Sequence, residues 1–382
     1  MKKDVLKVIA FVAWSFHQIS LWADTPPADQ SKIKQFLSQK QEQLTTDFPY
    51  RLNLPERGQI AKNTAGIRMA ETAQQIKGDK SGLLFFYKLY DHAMRVPHWH
   101  ANATEVGVVL EGKMRIVIWS GTGKPEVFTV EKNGTWTIPP ATLHVLENVS
   151  EKGDLTFFVG YNSPDTADRD FVTAWAALPD RMLEKSVGLT AEEIASIKKT
   201  TVNRLSKFDP DSTPEKSDIS SPNTSNFKDA KPLYEGELGS VRRVDATTMP
   251  SLKNMGLQQT ILKPGTMREP HWYLGSDTFL YIYKGSAFFT MLDNEGKVYN
   301  VIAKSGDVIF IPVGVFHAYV NIEQNDLEVY ESFTGSSDVT EITLLNGAQN
   351  MPVRTLAAAT GISKESAQRI IKHKSQSYII PF

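Results

Sequence analysis

Arg95-Val-Pro-His98-Trp-His100-Ala-Asn-Ala-Thr-Glu105 is the stretch on which the reading of this chain turns, because a second version of it stands 173 residues further on as Arg268-Glu-Pro-His271-Trp-Tyr273. The same offset lays Gly112 on Gly285, Pro139 on Pro312, His144 on His317 and Asn148 on Asn321. It still holds downstream, where Pro179, Arg181, Leu183 and Gly188 meet Pro352, Arg354, Leu356 and Gly361. A register kept without a gap over this span marks duplicated domains.

Each copy opens with short strand-like runs, in the first Gly107 to Leu110, Met114 to Trp119, Phe128 to Val130 and Leu155 to Gly160, punctuated by Gly, Asn and Pro. Each closes in helical pattern: Asp170 to Leu178 and Thr190 to Lys199, then Val353 to Thr360 and Ser363 to Lys374. Thr190 and Ser363 stand where a capping hydroxyl belongs, and Glu193 completes a capping box with the first. Many short strands followed by helices predict an all-β fold with helical appendages, built as two small barrels or double-sheet jelly rolls. The domains are expected at 50–205 and 232–382, joined by a linker at 206–231 rich in Pro, Ser, Asp and Asn.

With 382 residues, 41% of them hydrophobic, the chain can bury two separate cores. A net charge of −1 and the lack of a basic stripe interleaved with aromatics give a nucleic-acid partner no electrostatic support. The absence of cysteine excludes a thiol nucleophile, a zinc–thiolate cluster and a disulfide framework. Lys2, Lys3 and Lys7, the apolar run Val8 to Trp14 and a second apolar patch ending at Ala23 read as an export signal cleaved after Ala23. A periplasmic or secreted protein is therefore expected, with no membrane association after processing. No strand–Gly-rich loop–helix unit is visible for a phosphate or dinucleotide, and no Ser-His-Asp signature either.

On a strand, His98 and His100 leave the same face. Glu105 has the opposite parity, but Ala101-Asn-Ala-Thr104 reads as a turn that resets the phase. His144 follows Pro139 on a later strand. Three imidazoles and one carboxylate converging inside a small barrel make a mixed N/O site for Mn, Fe, Ni, Co or Zn. On an octahedral ion they leave two open positions, room for a bidentate carboxylate or for a substrate oxygen beside water or dioxygen.

These residues carry a resemblance to the cupin superfamily, whose motifs are G-x5-H-x-H-x3/4-E-x6-G and G-x5-P-x-G-x2-H-x3-N. The first copy departs from them at Asn133 and Ala141, each standing where the second motif has glycine. In the second copy Gly306 and Gly314 fit that motif, and His271 and His317 remain, but Tyr273 and Thr278 replace the other two ligand positions. That copy is expected to keep its fold with a degenerate metal site, Asp277 and Tyr273 being the alternative donors near it.

His-Trp-His in the first motif, an Arg three residues before the first ligand and a helical tail after each barrel resemble the bacterial and fungal oxalate decarboxylases. The resemblance implies manganese, dioxygen as co-catalyst, oxalate as substrate, formate and carbon dioxide as products, and association into homo-oligomers through the tails. It assigns Arg95 to orient the substrate and a lid glutamate after the first barrel to handle the proton. The matching stretch here, Asn162 to Asp170, has no glutamate; Asp165 or Asp168 would supply the carboxylate, or each is a helix cap or a solvated loop charge. Two other readings stay open: an oxalate oxidase or other metal-dependent dioxygenase, and a non-catalytic ligand-binding bicupin akin to seed-storage proteins.

Overall fold

The computed structural model describes residues 30–72, 74–121, 123–199, 204–209, 220–373 and 378–382; the expected export segment, residues 1–23, lies outside them. Among the described residues no helix is long and apolar enough to cross a membrane.

Each copy is a jelly roll in which a seven-stranded sheet faces a six-stranded one. In the first copy, Glu105–Glu111 lies between Gly134–Ile138 and Leu155–Tyr161 in the larger sheet. In the smaller one, Ala93–His100 lies beside Leu143–Asn148, which pairs on its other side with Lys113–Trp119. The second copy repeats this with Asp277–Lys284, Thr266–Leu274 and Phe316–Asn321 in the corresponding places. Period-two alternation lets one strand serve two cores. Val106, Val108 and Leu110 point out of the first jelly roll and pack with Phe279, Tyr281 and Tyr283 of the second, whereas Val109 joins the first copy's own interior.

The copies also exchange edge strands. Arg51–Asn53 pairs with Asp307–Ile311 of the second copy, and Thr224–Asn226, at the same 173-residue offset, pairs with Gly134–Ile138 of the first. The expected boundaries therefore need correction. Residues 51–53 complete the second domain's sheet, and residues 224–226 of the expected linker complete the first's. Three-residue polar stretches such as Arg-Leu-Asn and Thr-Ser-Asn carry no usable periodicity; they are strands because a sheet edge offers them partners.

The four expected helices form as Phe171–Ala176, Ala191–Lys199, Val353–Thr360 and Lys364–Ile371. Glu193 N–H donates to Thr190 Oγ1 and Thr190 N–H to Glu193 Oε2, the reciprocal box, while Ser363 Oγ accepts from Ser366 N–H. Asp180–Val187 and Leu344–Gln349 are helical without having been predicted; the first buries only Leu183 and the second buries none of its residues.

Asn133 and Ala141 adopt φ of 64° and 60°, matching Gly306 at 90° and Gly314 at 77° in the other copy. At these two positions the first copy thus holds a side chain in left-handed backbone where the second has glycine. Ala141→Gly is expected to stabilise the protein by about 0.5–1 kcal/mol, the relief of the Cβ clash exceeding the entropy that glycine adds to the unfolded chain. Urea unfolding checks it; no change, or a loss, would mean that Ala141 is not strained.

Candidate metal centre

His98, His100, Glu105 and His144 meet between the two sheets of the first jelly roll, with one donor atom of each within 4.8 Å of the others. The three histidines come from the smaller sheet, where His144 lies directly opposite His98 in register. Glu105 opens the strand Glu105–Glu111 of the larger sheet, on the far side of the 101–104 turn, which resets the phase as its sequence predicted. All four are no more than 3% exposed.

The ring orientations suit a cation. His98 Nδ1 faces the Val96 carbonyl at 2.8 Å and His144 Nδ1 the Thr142 carbonyl at 2.9 Å. A carbonyl can only accept, so each Nδ1 carries the proton and each Nε2 presents its lone pair to the centre. His144 Nε2 is buried with no hydrogen-bond partner, as is His100 Nδ1. His100 Nε2 lies 3.1 Å and His144 Nε2 3.4 Å from Glu105 Oε2. Burial alone would raise the Glu105 pKa, but the imidazoles of His144 and His100 outweigh it and hold the carboxyl well below its usual range. Burial, then the Arg95 charge and the neighbouring rings, push His98 well below the usual imidazole value, keeping it neutral. Deprotonated carboxylate and neutral imidazoles are the forms that bind metal.

Three residues that the sequence reading did not single out orient Glu105. Trp136 Nε1–H donates to its Oε1 at 2.9 Å, and the Tyr161 hydroxyl lies 3.3 Å from its Oε2. Gly107 sits opposite Trp136 in register, and a Cβ there would fall 2.2 Å from the indole. The available signal was a glycine inside an apolar strand, which marks the close approach of a neighbouring group.

Arg95 is 1% exposed, with both Nη atoms paired and its Nε buried without a hydrogen-bond partner. Its Nη2 donates to both Asp168 oxygens at 2.7 and 2.8 Å, and its Nη1 to Asp170 at 2.7 Å. Arg204 adds a second guanidinium to Asp168 at 2.5 Å. The two aspartates belong to the strand Asp168–Asp170, which lies along Ala93–His100 with Asp168 facing His100 in register. Asp168 therefore sits outside any lid loop. Burial would raise its pKa, but Arg95, with His100 and Arg204, holds it below the usual range, which leaves it a poor proton donor at neutral pH. Asp165 is exposed in the preceding loop, its Oδ1 accepting from Ala167 N–H at 2.9 Å.

In the second copy the ring centroids of His271 and His317 are 4.1 Å apart, against 4.0 Å for His98 and His144. Asp277 is turned away and accepts from Val313 N–H at 2.7 Å. The carboxylate beside the two histidines is Glu331, from Leu327–Thr334, a strand where no ligand was expected.

Comparison with known proteins places these features. The Cupin family profile matches residues 52–195 and again 225–368. The oxalate decarboxylase OxdC of Bacillus subtilis (strain 168) is 24% identical over 294 residues, covering 75% of this chain and 76% of that protein. An oxalate decarboxylase of Arthroderma benhamiae is 22% identical over 320 residues, 75% of this chain and 74% of the relative. An 11S globulin seed storage protein of Anacardium occidentale is 24% identical over 157 residues, 38% of this chain and 33% of the globulin. In three dimensions, a mutant of the Bacillus subtilis enzyme superimposes with a TM-score of 0.79 at 18% identity, over 96% of this chain and 98% of that one. A structure of the same enzyme that concerns its Mn(II) centres superimposes with a TM-score of 0.78 over the same shares at 18% identity.

Proposed function

The chain belongs to the cupin family as a bicupin that resembles oxalate decarboxylase, and from that premise we propose that it is an exported metalloenzyme that cleaves oxalate to formate and carbon dioxide at a manganese ion in the first domain. The observation that carries the proposal is the convergence of His98, His100, Glu105 and His144, with His144 Nε2 buried and unpartnered. Bound manganese, with dioxygen as co-catalyst, would supply the one-electron chemistry that weakens the carbon–carbon bond.

The protein's own groups do the rest. The three imidazoles and Glu105 hold the ion, and Trp136 and Tyr161 keep Glu105 aimed at it. Arg95 contributes positive charge beside the centre while its two Nη atoms pair with Asp168 and Asp170, leaving its Nε without a partner. Oxalate dianion gains one proton overall as it becomes formate and carbon dioxide. Asp168 is held ionised, so proton handling falls to Asp165.

Purified protein expressed with manganese is expected to contain metal at the first centre and to convert oxalate to formate; protein that loads no metal there would overturn the proposal. One observation favours a second reading. With Asp168 committed to Arg95 and Arg204, and no glutamate in the segment, a proton supply slower than loss of a second carbon dioxide would give peroxide, the oxidase outcome. Formate measured against hydrogen peroxide separates the two. Asp165→Asn is expected to shift the products toward peroxide if Asp165 is the acid, and to leave their ratio unchanged if it is not.

A further inference from the structure

We infer that the second jelly roll holds a metal ion of its own, bound by His271, His317 and Glu331 with the Tyr273 phenol as fourth donor. The carboxylate of this centre has moved to a different strand from the one that supplies Glu105 in the first.

The two imidazoles are preset as in the first copy. His271 Nδ1 faces the Glu269 carbonyl at 2.7 Å and His317 Nδ1 the Val315 carbonyl at 3.0 Å, so both Nε2 atoms present lone pairs inward. His317 is fully buried and its Nε2 has no hydrogen-bond partner. At the position matching Glu105 stands Thr278, also fully buried, with its hydroxyl unpartnered. Glu331 enters from the neighbouring strand, where Leu280 and Gln258 are its register partners on either side, and one atom each of His271, His317 and Glu331 lies within 4.8 Å of the other two.

Tyr273 occupies the place of His100. Its hydroxyl is 3.1 Å from His271 Nε2 and 3.0 Å from Glu331 Oε1. Adjacent ligands on an octahedral ion with bonds of about 2.1 Å stand about 3 Å apart, so these spacings are those of neighbouring donors on one ion. Gln258 Nε2 donates to Glu331 Oε2 at 2.5 Å, which fixes the carboxylate and leaves Oε1 toward the histidines. Gln258 is itself oriented by Arg243, whose Nη2 donates to its Oε1 at 2.8 Å.

Charge points the same way. Glu331 is 0% exposed and, among the described residues, has no salt-bridge partner; the nearest cations, Arg268 and Arg243, are paired with Glu341 at 2.7 and 3.7 Å. A buried carboxylate without a counter-ion is costly, and a divalent ion between it and two neutral imidazoles removes that cost. Two imidazoles and one carboxylate on one face suit a first-row transition ion.

The test uses Co(II) as probe, because its visible absorption reports coordination without any turnover. The full-length His98→Ala/His144→Ala variant, with the first centre disabled, is expected to bind one Co(II) per chain with a visible band. Glu331→Gln in that background is expected to weaken binding at least 100-fold. A first-centre variant that is folded yet binds no Co(II) overturns the inference and leaves the first centre untouched, as does Co(II) binding that Glu331→Gln does not change. Should Glu331→Gln fail to fold, His317→Gln replaces it with the same expectation. Should the first-centre variant fail to fold, elemental analysis of the wild-type chain decides, with two ions per chain expected and a single ion overturning the inference.

Discussion

Glu105→Gln is expected to empty the first centre and to lower oxalate turnover by more than about 100-fold, since even outer partners of metal ligands commonly cost 10–100-fold when removed. The substitution preserves shape. The new side-chain oxygen can still accept from Trp136 Nε1–H, which now donates to Glu105 Oε1 at 2.9 Å, and Gly107 still leaves room for the indole. What disappears is the one negative charge among the four donors, leaving three neutral imidazoles facing a divalent ion. The metal-free variant should therefore unfold in urea close to the metal-free wild type while holding little manganese after dialysis. A variant that kept both its manganese and its turnover would remove Glu105 from the centre.

How much of this was legible in the sequence follows from what each feature depends on. The duplication, the jelly rolls and the convergence of His98, His100, Glu105 and His144 were readable because each rests on spacing: same-face parity on a strand, a turn that resets it, and a fixed offset between copies. The residues that tune the centre were not. Trp136 reaches Glu105 from a different strand, and nothing local in Gly134-Thr-Trp-Thr-Ile138 announces an indole aimed at a carboxylate. Glu331 lies 58 residues from Tyr273 in the opposite sheet, and only the facing of the two sheets brings the two within hydrogen-bonding distance. The hint it offered was a pair of glutamates three apart in the run Leu-Glu-Val-Tyr-Glu-Ser-Phe, whose opposite parity turns one of them to the interior, where burial makes a charge expensive. The edge strands Arg51–Asn53 and Thr224–Asn226 escaped for the same reason: their identity belongs to the partner sheet.

Arg95→Met is expected to destabilise the metal-free protein by about 3–5 kcal/mol, the range for removing one member of a buried ion pair. The loss arises because Asp168 and Asp170 stay buried after the guanidinium has gone; Arg204, more exposed, still reaches Asp168, but Asp170 has no second cation at hand among the described residues. The repeat supports a role in the fold. Arg268 and Glu341 occupy the same two positions in the second copy and pair at 2.7 Å, although that copy lacks the His-x-His and its glutamate. A contact present in both copies, whatever their ligand sets, holds down the edge strand of the smaller sheet. The pH dependence has a definite sign. Asp168 has its pKa lowered in the folded state, so the stability it gains from Arg95 is in place above the ordinary aspartate value of about 3.9 and is lost as pH falls through the lower folded value. The gap between wild type and Arg95→Met, measured by urea unfolding without metal or oxalate, should therefore be widest near neutral pH and narrow in acid. Equal stabilities at neutral pH would return Arg95 to a role in gripping the substrate alone.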